Sequence, residues 1–394
     1  RVADAAGHAL LCLPALLQGA GKTRQVAAQQ VFLTDAASWA ALQPLLVGPL
    51  AEGNRAWQVQ FWPDKKNLVQ RQVEALLKNK PQLSQADVEQ ASVVLQGLTA
   101  YEYVLFDAAI DLSDAAQKAR YCPLLTGIGA HQQKLSGDVL EQWQAKDGMA
   151  AQLRAFPNAR YAEAPEAVAE LLRAQVNALD GMKKKLGAAL GRQSKGVPQP
   201  YQAEFWRSNA SLASLAAALA SAERLWLGAN QDGLRSLLGD DQQELATRID
   251  QQYASTRQQL AALQRPLGEM LADEAGRAEL NAFYDSLNQI HRLQGGEHDQ
   301  GVVAGPAEVD HGGDRDVRGP PVGVPADGVE PDAGQERVDD AGLVGEELAE
   351  DQRHRHRSIR FTQHQAGRTD TDVPFHVDGH SPAAVGAALV GGCH

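Results

Sequence analysis

Between Thr23 and Gln294 the apolar residues recur at intervals of three and four, and nowhere do they alternate convincingly with polar ones. Leu245, Ile249, Tyr253, Thr256, Leu260, Leu263 and Leu267 form the clearest series. Val168, Leu172, Val176, Leu179, Met182, Leu186 and Leu190 form a second, and Leu212, Leu215, Leu219, Ala222 and Trp226 a third. A period near 3.6 places such residues on one helical face, which must then be buried against other helices. The expected fold class is therefore all-α. Breakers divide the stretch into helices expected near 23–47, 67–79, 85–106, 113–145, 164–190, 204–228, 239–264 and 267–293. Pro44 and Pro49 close the first, Pro81 separates the second from the third, and Ala155–Pro165 separates the fourth from the fifth. Ser113 with Asp114, and Asp240 with Asp241, are the expected N-caps. Four helices on each side of the Pro157–Pro165 break predict two consecutive four-helix bundles, residues 26–150 and 160–294. No period of 20–50 residues repeats, which argues against a solenoid.

The formal charge of −12 belongs almost entirely to one end of the 394-residue chain. Residues 295–394 hold 19 Asp and Glu against 8 Arg, leaving 30 acids and 29 bases for residues 1–294. The same hundred residues hold 17 of the 36 Gly and 8 of the 11 His, with three Leu and no Lys, Trp, Tyr, Asn or Met. So little large apolar area cannot offset the entropy of ordering the segment, so residues 295–394 read as a non-globular tail. Two readings compete: a disordered acidic tail, or translation in a slipped frame after Gln294. The second fits the enrichment in Gly, Arg, Pro, Val, Asp and His, which a wrong frame in GC-rich DNA produces. The nearly neutral body gives no ground for a nucleic-acid partner, and neither the acidic charge nor the wealth of histidine identifies another.

No stretch approaches the roughly 20 apolar residues that span a bilayer. His8–Gln18 is apolar but short, and it lacks a basic n-region and a small-residue cleavage site. Leu11 before Cys12 does not suit a lipoprotein cleavage site. Residues 1–25 read as a poorly defined N-terminal segment: either the chain starts after its targeting sequence or these residues are out of frame. The cysteines, Cys12, Cys122 and Cys393, have no zinc-site spacing. Cys122 in "RYCPLL" reads as a small buried hydrophobe, with a Cys12–Cys122 disulfide as the alternative in an oxidising compartment.

Three segments carry candidate chemistry. Glu52–Asn67, "EGNRAWQVQFWPDKKN", places Arg55, Trp57, Trp62, Asp64, Lys65 and Lys66 between helices. Flat rings and charge-assisted donors suit an anionic or carbohydrate ligand; alternatively Trp57, Phe61 and Trp62 plug the bundle. In Gln96–Asp107, "QGLTAYEYVLFD", Thr99 and Glu102 share a helical face amid Val94, Leu98, Tyr101 and Leu105. A carboxylate there is costly unless it is paired or holds a cation, so Glu102 is either a functional carboxylate or half of an ion pair with a neighbouring helix. In Glu204–Leu215, "EFWRSNASLASL", Arg207, Ser208 and Ser211 open the sixth expected helix, where they either bind an anion or, as Ser208, cap the helix.

Other chemistry is not signalled. His8, His131 and His291 belong to no HExxH and have no His or Glu at i+3 or i+4, and there is no GxSxG or CxxCH. "GAGKTR" at Gly19–Arg24 fails as a phosphate loop because Leu16 stands where its first glycine would.

Together, Leu42–Val73, Val93–Asp107 and Phe205–Leu219 resemble the imelysin-like (peptidase M75) family, in its branch of iron-regulated periplasmic lipoproteins. The resemblance covers about residues 28–294; it stops at Asn288–Gln294 with no visible break in the helix and becomes convincing near Gln29–Phe32. It implies two four-helix bundles side by side with a polar cleft between them, and a membrane-tethered periplasmic protein linked to iron uptake. The family motif GxHxxE aligns with Gly97, Thr99 and Glu102, so threonine replaces the histidine. Threonine is a poor ligand for zinc or iron, which weighs against metal-dependent peptidase activity. What remains is a binding protein without catalysis, for iron, haem or an anionic ligand. Arg55, Trp57, Trp62, Asp64, Lys65, Thr99, Glu102, Arg207, Ser208 and Ser211 are its candidate ligand-binding residues, and Glu102 the candidate ligand for iron or another divalent metal. A metal-dependent peptidase and a partner-docking module docking through "FWPDKKN" are the alternatives.

Overall fold

The computed structural model describes residues 22–295, all within one compact unit of the chain, and they contain helices and no strand. Expectations for residues 1–21 and 296–394, including the out-of-frame readings, lie outside the described residues. The α-helices are α1 (Lys22–Leu42), α2 (Arg55–Val59), α3 (Leu68–Asn79), α4 (Gln85–Glu89), α5 (Leu98–Phe106), α6 (Ala115–Gln144), α7 (Met149–Gln152), α8 (Ala164–Ala189), α9 (Ser211–Leu227), α10 (Gln243–Ala262), α11 (Leu267–Ala272) and α12 (Glu274–Gly295).

The helical expectation holds, and the structure corrects several boundaries. The first helix stops at Leu42, because Pro44 enters a 3-10 turn at Gln43–Leu45. The segment 85–106 is not one helix. Gln96 turns inward and donates its side-chain amide to the carbonyls of Val88, Glu89 and Ala91, which takes up acceptors a continuous helix would need. Gly97 follows in an extended conformation, and α5 starts only at Leu98. The helix expected at 204 starts at Ser211, because Phe205 and Asn209 adopt φ values of 50° and 57°. The last expected helix is broken at Asp273, which is extended and accepts the Gly276 N–H at 2.7 Å. Asp114 caps α6 through the Gln117 N–H at 2.9 Å. Asp240 and Asp241 instead form a 3-10 turn ahead of α10, whose N-cap is Gln242.

Burial follows the periodicity. One core cluster gathers Phe32, Val73, Val88, Tyr101, Leu105, Leu124 and Ile128 from α1 and α3–α6. A second gathers Leu179, Met182, Leu219, Ile249, Tyr253, Met270, Phe283 and Ile290 from α8–α12. The clusters interlock: α1 packs on both α5 and α9 and gives Ala40 to the second core, while Phe205 and Ala210 from the segment before α9 enter the first. A small third cluster, around Val47, Met149 and Tyr161, covers the Pro157–Pro165 connection. Cys122 is half-buried on α6 against the first core; Cys12 lies outside the described residues.

Candidate functional site

Every residue of α5 from Leu98 to Leu105 is buried, so the carboxylate of Glu102 stands in an apolar setting with 1% of its surface exposed. The glycine before the helix permits this depth. A Cβ at Gly97 would lie 2.3 Å from the Val59 carbonyl oxygen, so only glycine lets α5 start against the end of α2. Glu102 Oε1 accepts the Ser208 N–H at 2.9 Å and the Ser208 hydroxyl at 2.7 Å. Burial pushes its carboxyl up to about 7, against the Ser208 hydrogen bonds and the nearby Arg207 charge. The direct partner is thus a serine from the segment before α9 rather than an Arg or Lys of a neighbouring helix. Ser208 does not cap α9; the left-handed turn at Phe205 and Asn209 aims its donors at α5. That turn is anchored by Phe205, whose ring lies edge-on to Phe32 at 5.6 Å in the first core.

Arg207 lies beside this pair, its side chain 2% exposed. Its Nε donates to Asp107 at 3.0 Å and its Nη2 to Asn67 at 2.8 Å, while Nη1 stands 3.9 Å from Asp64. Its guanidinium lies 5.1 Å from the Tyr103 ring and 4.4 Å from the Trp206 ring. Asp64 also accepts the Val69 N–H at 3.1 Å, yet burial holds its carboxyl above the usual range. Arg207 therefore ties the 62–67 loop, the end of α5 and the segment before α9 together.

A second buried knot lies along the same seam. Glu204 is ion-paired with Lys185 of α8 and accepts the Gln60 amide at 2.8 Å. Gln60 in turn accepts the Trp39 indole N–H at 2.6 Å, and Lys185 also donates to Gln43 at 2.9 Å. The Ser211 hydroxyl is bound to the Glu204 carbonyl, and the Trp62 indole donates to the Gln202 carbonyl at 3.1 Å with Lys185 5.9 Å from its ring. Lys185, Glu204, Gln60 and Trp39 were not among the residues expected from the sequence. Each has a single polar group in an otherwise ordinary helical or loop context, and only the fold makes them meet.

The expected residues therefore divide. Asp64, Trp62, Glu102, Arg207, Ser208 and Ser211 gather along the seam. Thr99 is buried, its hydroxyl donated to the Phe61 carbonyl at 2.8 Å. Trp57 packs on the first core against Phe61, as a plug would. Arg55 turns elsewhere, to the Pro49 carbonyl at 2.6 Å and to Glu52, which also pairs with Arg160. Lys65 is exposed.

A zinc or iron centre on Glu102 does not fit these residues. Its oxygen is met by hydrogen-bond donors, the Thr99 hydroxyl is committed to Phe61, and the nearby Glu204 is taken by Lys185 and Gln60. Among the described residues no three His, Cys, Asp or Glu side chains converge where they could hold a metal. The seam has the chemistry of a clasp: a buried carboxyl fastened to Ser208, with Arg207 paired to Asp107 and Asp64 and Lys185 paired to Glu204 beside it.

The sequence pattern of the family described as imelysin, peptidase M75, matches residues 14–294. The match reaches further back than the expected start near Gln29–Phe32. The fold is similar to that of an imelysin-like protein from Psychrobacter arcticum 273-4, with a TM-score of 0.61 at 21% identity, over 74% of this chain and 87% of that one. It is also similar to a protein from Parabacteroides distasonis ATCC 8503 described as an iron-regulated protein A precursor, with a TM-score of 0.57 at 15% identity, over 74% and 89% of the two chains. No curated protein matches the chain. With its all-helical fold, its Gly97-to-Glu102 segment on the seam and a family match over most of its length, the chain belongs to the imelysin (peptidase M75) family.

Proposed function

We propose that this chain is a periplasmic, membrane-tethered lipoprotein linked to iron uptake that binds a ligand and catalyses no reaction. The observation that carries this reading is the use made of Glu102: the carboxylate of the family motif is buried and fastened to Ser208, so it is closed to a substrate. The link to iron has the support of the similar Parabacteroides distasonis protein, which is described as iron-regulated. No described helix is long and apolar enough to cross a membrane, and in this reading a lipid does the tethering.

The ligand surface lies at the outer edge of the seam. Tyr201 is 67% exposed and meets Trp206 edge-on at 4.8 Å, while Trp62 is pinned to the neighbouring Gln202 carbonyl. Together with the exposed Lys65 and Lys66 these rings offer stacking faces and cations, which suit haem or an anionic polysaccharide. Equilibrium binding of haem, Fe(II) and an anionic polysaccharide to the full-length chain tests the reading. Saturable binding of haem or polysaccharide, weakened about thirtyfold or more in a Trp62→Ala, Tyr201→Ala double variant, is expected, since stacked aromatic contacts contribute about 1–3 kcal/mol each. No binding of any of the three sinks it. Chelator-sensitive cleavage of a peptide library would instead establish the metal-dependent peptidase, and a protein partner lost on Trp62→Ala the docking module.

A further inference from the structure

Asp35 on α1 is 3% exposed, and neither of its carboxyl oxygens has a hydrogen-bond partner among the described residues. It lines a cavity of about 70 Å³ whose walls are apolar side chains, Leu98 and Val139 among them, apart from Gln132 and Ser136. Leu42, Val59 and Ser136 on its wall are only half-buried and mark its opening. The polar atoms there are acceptors. Gln132 donates its amide nitrogen to the carbonyls of Gln58 at 2.6 Å and Gln96 at 2.8 Å, which leaves its Oε1 to accept. Ser136 gives its hydroxyl proton to the Gln133 carbonyl at 3.1 Å and keeps its oxygen lone pairs. Trp39, also on the wall, commits its indole N–H to Gln60 at 2.6 Å, so its π-system and not its donor is available. No Lys, Arg or His among the described residues lines the cavity.

We propose that this cavity binds a short-chain primary alkylammonium ion, with Asp35 as its counter-ion. An ammonium group has three N–H donors and no acceptor, which matches a lining of acceptors, and the Trp39 ring favours a cation near its face. The apolar walls take the hydrocarbon chain, and the volume limits its length. An apolar cavity of about 150 Å³ holds benzene, so one of about 70 Å³ holds about three or four non-hydrogen atoms, as in propylammonium. An amino acid does not fit, because its carboxylate would enter with no cation to meet it. Without a cation beside it, Asp35 is pushed by burial up to about 8, so at pH 7 it holds a proton. Binding releases that proton to solvent, and a carboxylate–ammonium pair, neutral as a whole, replaces the neutral acid; no covalent bond forms. Ionising Asp35 at pH 7 lowers the affinity only about tenfold, because its carboxyl lies about one unit above that pH. Burial alone accounts for the position of Asp35. Tyr101 on α5 is the titratable neighbour, and burial and the Asp35 charge keep its phenol protonated, so it brings no competing charge.

The test is calorimetric titration of the full-length chain with propylammonium chloride at constant ionic strength. One site per chain is expected, with a Kd no tighter than about 0.04 mM, the ceiling for four non-hydrogen atoms. Affinity should rise about tenfold from pH 6 to pH 7 and level off above about pH 8, with nearly one proton released per ion at pH 7 and almost none at pH 9, read from two buffers of different ionisation heat. 1-Propanol and alanine should bind at least tenfold more weakly. Asp35→Asn, which keeps the shape, should weaken binding tenfold or more and abolish the proton release. Ser136→Leu, at the half-buried opening, should weaken it with Asp35 in place, and it decides the matter together with the pH profile where thermal unfolding shows that Asp35→Asn does not fold. The 19 acids of residues 295–394 cannot mimic the site, since binding to them would survive Asp35→Asn. Absence of saturable heat, as from a cavity that holds only water, overturns the proposal. So does equal binding of 1-propanol, or binding of full strength in Asp35→Asn. The site is separate from the Trp62–Tyr201 surface: Trp62→Ala with Tyr201→Ala should leave the titration unchanged, and losing it with those substitutions would also overturn the proposal.

Discussion

Ser208 gives both of its donors, the backbone N–H and the hydroxyl, to one oxygen of Glu102, 106 residues earlier in the chain. The carboxylate has almost no contact with water, so these bonds provide the solvation it loses on folding. Removing the hydroxyl in Ser208→Ala leaves a buried acceptor half-satisfied. The expected loss is about 1–3 kcal/mol, read as a lower midpoint in urea unfolding with an unchanged slope. A shift of only a few tenths of a kcal/mol would mean that the N–H alone suffices.

Two buried carboxyls make stability depend on pH in the direction opposite to acid denaturation. Asp35 is 3% exposed, neither of its oxygens has a hydrogen-bond partner, and burial pushes it from 3.8 up to about 8. Glu102 rises from 4.5 to about 7. In both cases the folded state holds a proton that the unfolded chain releases near its ordinary value. Their contribution is therefore fully present below about pH 4, is lost as pH rises towards 7 and 8, and is level above that. Each group adds at most about 1.4 kcal/mol per pH unit within its window. Asp35→Asn should flatten the fall in melting temperature between pH 5 and pH 8; an unchanged profile would show that Asp35 ionises freely in the fold.

Arg207 is expected to be the costliest seam residue to lose. Arg207→Ala leaves Asp107 and the buried Asp64 without their cation, which costs about 3–5 kcal/mol for a broken buried pair. Arg207→Lys should recover only part of this, because an ammonium cannot meet Asp107 and Asn67 with a planar fork. Equal stability of the Lys variant and wild type in chemical denaturation would contradict the argument.

Restoring the family histidine should not restore a metal site. Thr99 is 8% exposed and bonded to the Phe61 carbonyl. Thr99→His adds bulk to a packed position, at about 1–3 kcal/mol, and Glu102 remains fastened to Ser208 with no third ligand beside it. Zinc or Fe(II) titration of Thr99→His should show no gain in affinity over wild type. A gain of a hundredfold would mean that the seam opens readily enough to build a coordination sphere.

Much of the core was legible in the sequence, because helical burial follows spacing along the chain. Ile249, Tyr253, Thr256 and Leu260 were marked by their intervals alone, and all four are buried. Glu102 stood out for the same reason, as a carboxylate among Leu98, Tyr101 and Leu105. Its partner did not. Ser208 reads as a helix cap, and the left-handed φ values of Phe205 and Asn209 that turn it towards α5 leave no mark in a sequence without glycine or proline there. Arg55 and Trp57 matched the pattern of a ligand loop, yet one binds the Pro49 carbonyl and the other packs on the core.

The sequence by itself determined the all-helical class, the faces the helices bury and the family, because each rests on local spacing or on contiguous residues. The tertiary structure alone decided which polar groups meet: Glu102 with Ser208, Glu204 with Lys185, and Tyr103 and Tyr121 with Glu74. The residues of each pair are brought together only by the packing of apolar faces that surround them. The polar partnership is thus set by geometry that the hydrophobic pattern creates but does not encode at the residues themselves.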